Sequence, residues 1–305
     1  MPRENVSFQT SDNVTLRGWF FKPADPGQSE LPCLVMAHGL AALKEFDLDR
    51  FAQYFVSSLD IACLVYDNRG FGESDTKDGQ PRLEVIASQQ QSDFQDAITY
   101  AQLRPDVNAN KIGIWGSSYS GGHVLCVGAT DRRVKAVLSQ VPGVDGWANG
   151  LRLVRGDLLP VIHDAFQQDR LDRAAGKPPQ MIPVVNDDPL GKAVLPSADS
   201  YKFYKSWEEK TDWKNEITLR SVEMIRQNIP VAFINHISPT PLLMTVALND
   251  VVTPTDLALE AYSRALEPKQ LQILPGGHFD AYSGPNFERN VKTQAQFLKD
   301  HLCTE

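Results

Sequence analysis

Short apolar runs recur along the first half of the chain, with helical spacing between them. Residues 6–10 and 14–22 flank Ser11-Asp12-Asn13, three residues that turn readily, so the opening predicts an antiparallel hairpin. Then come the apolar run 33–37, a helical stretch over 47–58 and a second apolar run over 61–66. Helical spacing resumes over 88–103, followed by a strand at 111–115, an apolar helix over 118–129 and a strand at 134–139. These strand runs are apolar on both faces, as strands buried between two helix layers must be. Their alternation with helices is the mark of a parallel sheet built from crossovers.

The rhythm fails over 148–238, where proline, charge and aromatic residues mix without strand spacing. It returns with a strand at 242–247, a helix over 254–265, a strand at 271–274 and a closing helix over 286–301. A structureless stretch of that length does not fit inside a compact domain, so 148–238 predicts a mainly helical inserted cap. The expectation is an α/β fold with a mostly parallel eight-stranded sheet flanked by helices. Residues 1–147 and 239–305 form the two parts of its core, on either side of the cap at 148–238.

Composition narrows the function classes. With 42% hydrophobic and 22% charged residues over 305 positions, the chain has the balance of a globular enzyme and the size of one core with one excursion. A net charge of -8 repels phosphate backbones and anionic lipid, which makes nucleic acid and membrane surfaces poor partners. The cap does not carry that charge. Its twelve basic and twelve acidic residues cancel, leaving 18 basic and 26 acidic residues elsewhere. Cys33, Cys63 and Cys126 fall in apolar runs, and with Cys303 they form no C-x-x-C pair, so they read as reduced thiols. The opening MPRENVSFQT has no apolar signal segment, and no run reaches the length of a membrane span, so a cytoplasmic protein is expected.

The densest chemical signal is Gly116-Ser117-Ser118-Tyr119-Ser120-Gly121-Gly122, between a predicted strand and a predicted apolar helix. A serine there sits on a sharp turn that lifts its hydroxyl clear of the sheet, and small neighbours let strand and helix approach closely. The usual form is G-x-S-x-G. Here Ser120 takes the last place and the glycines shift to 121 and 122. Ser118 is the candidate nucleophile; the plainer alternative is that Ser117 or Ser118 merely caps the helix.

Asp250 follows the strand at 242–247 and His278 the strand at 271–274, so both project from the carboxyl edge of the sheet. The order nucleophile, acid, histidine is that of α/β-hydrolases and differs from the orders of the chymotrypsin and subtilisin folds. Asp256 is a rival acid, but Thr253-Pro254-Thr255-Asp256 reads as a helix start, with threonine as cap, proline first and a carboxylate near the positive end. His38-Gly39-Leu40 ends the strand at 33–37, where such folds supply one backbone N–H to an oxyanion; the residue after the nucleophile supplies the other. Leu40 and Tyr119 are the candidate donors, and His38 reads as a loop brace. In the cap, Phe166, Phe203, Tyr204, Trp207, Trp213 and Phe233 either line an apolar pocket or form a small core of their own. Trp207 and Trp213 are the candidate substrate-binding residues. His123, His163, His236 and His301 lack ligand spacing, so no metal site is expected. A dinucleotide loop at Gly70-Phe71-Gly72 fails for want of a third glycine, since Asp75 stands there.

Asp67-Asn68-Arg69-Gly70-Phe71-Gly72-Glu73-Ser74 resembles the D-x-R-G-x-G-x-S signature of the α/β-hydrolase superfamily, and its role reads as structural. With the elbow, the His38-Gly39 loop and the pair Asp250 and His278, the chain is similar to that superfamily on both sides of the insertion. Pro239-Thr240-Pro241-Leu242-Leu243-Met244, and Glu267-Pro268-Lys269 leading to Gly276-Gly277-His278-Phe279-Asp280-Ala281-Tyr282, resemble dienelactone-hydrolase-like proteins, a group that includes fungal polyketide transferases. The resemblance implies cofactor-free acyl chemistry on a small-molecule ester, lactone or thioester without fixing the substrate; the charge-balanced, aromatic-bearing cap adds the expectation of a medium or bulky hydrophobic acyl group held on Ser118. The alternative is an acyltransferase or cyclase acting on a polyketide-type chain of secondary metabolism. More distant are a lyase, a non-catalytic binding protein and a serine peptidase, the last because the elbow is also similar to that of prolyl oligopeptidases and the cocaine-esterase/X-prolyl peptidase group.

Overall fold

The computed structural model describes residues 3–27, 30–188 and 190–304. Strands β1 (Arg3–Gln9) and β2 (Thr15–Phe21) pair antiparallel through a turn at Asn13, whose φ of 66° is the left-handed conformation that asparagine tolerates. The crossover units follow. They are β3 (Leu31–Ala37), α1 (Leu48–Ser58), β4 (Ala62–Tyr66), α2 (Ala87–Gln102), β5 (Val107–Ser117), α3 (Tyr119–Thr130) and β6 (Val134–Gln140).

After β6 the chain leaves the sheet. This excursion holds α4 (Gly146–Leu153), α5 (Leu159–Ala174), a two-residue strand β7 (Met181–Ile182), α6 (Ala198–Glu208), β8 (Ile217–Thr218) pairing with β7, and α7 (Leu219–Ile225). The core resumes with β9 (Leu242–Ala247), α8 (Thr255–Arg264), β10 (Lys269–Leu274) and α9 (Gly284–His301). The expected eight-stranded sheet is present in the order β1-β2-β4-β3-β5-β6-β9-β10, parallel from β4 onward.

β3, β4 and β9 are buried at every position, because helices cover both faces. On one face Phe94, Ile98, Val124 and Leu125 of α2 and α3 pack against the sheet; on the other, Phe51 and Phe55 of α1 meet Phe297 and Leu298 of α9. Burial in α1 falls on Leu48, Phe51, Ala52, Phe55 and Val56, the one-face spacing of an amphipathic helix. Cys33, Cys63 and Cys126 are free, buried thiols.

The insertion is mainly helical, but the β7–β8 ribbon has no counterpart in the sequence pattern, and two-residue strands carry no periodicity to read. Its burial is uneven. α4 buries no residue and α5 only Phe166 and Asp169, whereas Val184, Val185, Leu195, Tyr204, Trp213 and Ile217 form one cluster with Leu40, Ala41, Ala42, Leu43 and Phe46 of the loop after β3. No helix among the described residues is long and apolar enough to cross a membrane.

Candidate active site

Four parallel strands deliver the site from their carboxyl ends. The β3 end carries His38, Gly39 and Leu40; β5 carries Ser118, β9 Asp250 and β10 His278. Ser118 sits between β5 and α3 at φ 58° and ψ −118°, a conformation that residues with a side chain rarely adopt. The turn is held on both sides, since Ser118 N–H donates to the Gln140 carbonyl at 2.8 Å and its own carbonyl accepts from Gly143 N–H at 2.9 Å. The displaced glycine has a steric reason, because a Cβ at Gly121 would stand 2.7 Å from the Gln140 carbonyl oxygen. At Ser120 the hydroxyl instead donates to the His38 carbonyl at 2.5 Å, tying the elbow to the β3 loop. At Gly39 a Cβ would come within 2.6 Å of the Ser118 Cβ, so only glycine lets that loop lie against the serine.

Ser118 Oγ lies 3.0 Å from His278 Nε2, and His278 Nδ1 lies 2.7 Å from Asp250 Oδ2. Both Asp250 oxygens are occupied. Oδ1 accepts from the backbone N–H of Val252 at 2.9 Å and of Thr253 at 2.8 Å, while the Thr253 hydroxyl stands 2.9 Å from Oδ2 and 3.2 Å from His278 Nδ1. Thr253 is therefore not the helix cap its sequence suggests. Helix α8 starts at Thr255, and the Thr253 hydroxyl is committed to the carboxylate and to the carbonyl of Val141, a β-branched residue held at φ 38°. Asp256, the rival acid, lies on the surface and pairs with Arg152 at 2.7 Å.

Beside Ser118, the backbone N–H groups of Leu40 and Tyr119 have no acceptor among the described residues; Tyr119 opens α3, where the first turn leaves its donors free. The loop bearing Leu40 is braced from below and above. Below, the His38 ring takes a hydrogen bond from Gly39 N–H at 2.7 Å and gives one to the Phe46 carbonyl at 2.9 Å. Burial holds its pKa down to about 3, so it is a neutral strut. Above, the Tyr204 hydroxyl donates to the Leu40 carbonyl at 2.6 Å, and Trp213 Nε1–H to the carbonyl of Ala41 at 2.9 Å, where φ is 55°.

A cavity open to solvent lies over Ser118. Its sheet side is Leu40, Ser118, Tyr119, Val252 and Thr253; its insertion side is aliphatic, with Leu153, Val154, Leu159, Ile162, Val222 and Ile225. Trp207 and Trp213, expected to bind substrate, are not part of this lining. Trp207 stacks on Phe46 with ring centres 5.1 Å apart, and Trp213 is buried beside Tyr204. The bulky rings fill the seam between insertion and β3 loop, leaving the narrower aliphatic side chains to face the cavity.

The Asp67 to Ser74 segment shapes this loop from behind. Lys44, fully buried, places Nζ 2.6 Å from Asp67, 2.7 Å from Glu73 and 3.0 Å from Glu45, so an ammonium supplies the cation for the three carboxylates. Ser74 donates to the Asp67 carbonyl and accepts from Arg17 N–H of β2. His123, on α3 behind Tyr119, is likewise held at about 3 by burial.

A family model described as X-Pro dipeptidyl-peptidase (S15 family) matches residues 12–280. The chain is 32% identical to a thiohydrolase of Eupenicillium brefeldianum, over 98% of this chain and 94% of that protein. It is 33% identical to polyketide transferase grgF of a Penicillium species, over 99% of this chain and 98% of the relative. The crystal structure of the alpha/beta hydrolase GrgF from Penicillium sp. sh18 matches it with a TM-score of 0.85 at 32% identity, covering 100% of both chains.

Proposed function

Because this chain belongs to the X-Pro dipeptidyl-peptidase (S15 family) and is an enzyme of the α/β-hydrolase type, we propose that it cleaves esters, lactones or thioesters of medium or bulky hydrophobic acyl groups through an acyl-enzyme on Ser118. The observation that carries this is the hydrogen-bonded line from Asp250 through His278 to Ser118, opening on an aliphatic cavity. His278 Nε2 takes the Ser118 proton as Oγ attacks the acyl carbonyl. The carbonyl electron pair moves onto oxygen, facing the free N–H groups of Leu40 and Tyr119. Collapse expels the alcohol or thiol, which leaves with the proton from His278. Water then attacks the acyl-enzyme by the same route, releasing the acid and restoring Ser118. Asp250 holds the ring orientation throughout. In this reading 148–238 acts as a cap over a core made of 1–147 and 239–305.

The cavity also bears on peptide cleavage. A dipeptidyl-peptidase must hold a free α-ammonium near its serine, yet no carboxylate lines the cavity among the described residues, and its charged member is Arg226. An acyl substrate fits better. Transfer to a second nucleophile, rather than to water, is the second reading, favoured by the relative named as a polyketide transferase.

A fluorophosphonate probe should label the wild-type protein on Ser118 and leave Ser118→Ala unlabelled but folded. Label on Ser117 or Ser120 would overturn the assignment. Across a series of acyl esters, kcat/KM should rise by roughly fourfold for each methylene that the aliphatic wall buries, until the cavity is full.

A further inference from the structure

The insertion carries six arginines, and five of them are spoken for. Arg152 pairs with Asp256, Arg155 with Asp157, Arg170 with Glu223, Arg173 with Asp169 and Arg220 with Glu84. Arg226, the first residue beyond α7, has no carboxylate and no side-chain hydrogen bond among the described residues, although it lines the cavity that holds Ser118. It is not loose. Its guanidinium carbon lies 4.5 Å from the Trp147 ring centre and 5.9 Å from that of Phe166, so two rings fix it and leave its N–H edges unused.

Arg226 is only partly buried, so water serves its donors in the open cavity, and an anionic ligand would replace that water with charge-assisted hydrogen bonds. None of the twelve acidic residues of the charge-balanced insertion lines the cavity. We propose that Arg226 is an anion subsite, so that the true substrate carries a carboxylate or phosphate at a distance from its scissile carbonyl. A planar guanidinium already held by rings suits such a group, since it offers two parallel N–H donors and loses little freedom on binding. The anion belongs either to the far end of the acyl chain or to the leaving group. The subsite rests on the reading of Ser118 as nucleophile for the identity of that carbonyl, but not for its capacity to bind.

Two substrate pairs separate the sources. In the first, mono-p-nitrophenyl esters of α,ω-dicarboxylic acids of increasing length are compared with their ω-methyl esters. In the second, hexanoyl-phosphopantetheine is compared with hexanoyl-pantetheine. For one pair, the charged member should be preferred, and Arg226→Met should lower the charged-to-neutral ratio of kcat/KM by about tenfold or more. Arg226→Lys should recover part of it, and Arg155→Met should leave the ratio unchanged. Whichever pair responds names the source. Independently of turnover, monomethyl adipate binding to Ser118→Ala, measured by calorimetry against dimethyl adipate, tests the acyl-chain source; phosphopantetheine against pantetheine tests the other. If Arg226→Met alters neither ratio and neither anion binds better than its neutral partner, Arg226 is a solvated rim residue and the subsite does not exist. Failure of Ser118 to take the fluorophosphonate would sink the acyl-enzyme while leaving the calorimetric answer standing.

Discussion

The cavity has two walls made by different means. On the sheet side, Ser118, Asp250, His278 and Thr253 are fixed by hydrogen bonds at 2.7–3.2 Å and by backbone turns that few residues can follow. On the insertion side, Leu153, Val154, Leu159, Ile162, Val222 and Ile225 are half-buried aliphatics on helices that bury little else. A polar network has one good geometry and loses heavily when a member goes. An aliphatic surface is graded, because removing a methylene costs its own contact and little more. The sheet wall is therefore suited to setting the reaction, and the insertion wall to setting what enters it.

Asp250→Asn gives the sharpest contrast. It should lower kcat by about a thousandfold or more by disturbing the His278 tautomer, as in other serine enzymes, whereas Asp256→Asn, which breaks a surface pair with Arg152, should change kcat by less than about twofold. The reverse outcome would move the acid to α8. Tyr204→Phe comes next and crosses between the walls, because an insertion residue there holds the Leu40 carbonyl. It should lower kcat roughly five- to tenfold with little change in KM. A loss of thermal stability with kcat intact would leave Tyr204 a purely structural brace. The smallest effects belong to the insertion wall proper. Leu153→Ala and Ile225→Ala should each lower the long-to-short acyl preference in kcat/KM by roughly threefold, and Trp207→Ala, outside the cavity lining, should leave that preference alone. Should Trp207 prove the stronger determinant, the aliphatic wall is not the selective surface.

The sheet wall was the more legible of the two in the sequence. The elbow follows β5 directly, and Asp250 and His278 come three and four residues after β9 and β10, so each was legible as a polar residue just past a strand end, although β10 is an edge strand with only Gln272 and Leu274 buried. Their mutual distances are a consequence of strand order, which the crossover rule constrains. Thr253 escaped because Thr-Pro-Thr-Asp is as good a helix start as it is a carboxylate clamp, and the choice depends on Asp250 lying within reach in space. The insertion was read correctly as mainly helical, but its side chains were not placed. Trp213 meets Ala41 and Tyr204 meets Leu40 across separations of 172 and 164 residues, and no periodicity within either segment announces such contacts. The bias toward aromatic rings as pocket lining failed for a physical reason. Trp207 and Trp213 pack instead of lining, Trp207 stacked on Phe46 and Trp213 buried beside Tyr204, as aromatic rings in a protein interior commonly do.

The backbone at Ser118 has a further consequence, for the history of the chain rather than its chemistry. A residue with a Cβ at φ 58° and ψ −118° costs about 1–3 kcal/mol relative to an ordinary conformation, and glycine would occupy the same turn with less strain. Folding alone gives no reason to keep a serine there. On the reading of Ser118 as nucleophile, selection for activity would hold position 118 against a standing pull from stability, and in any lineage where the activity ceased to matter it should be among the first positions to drift.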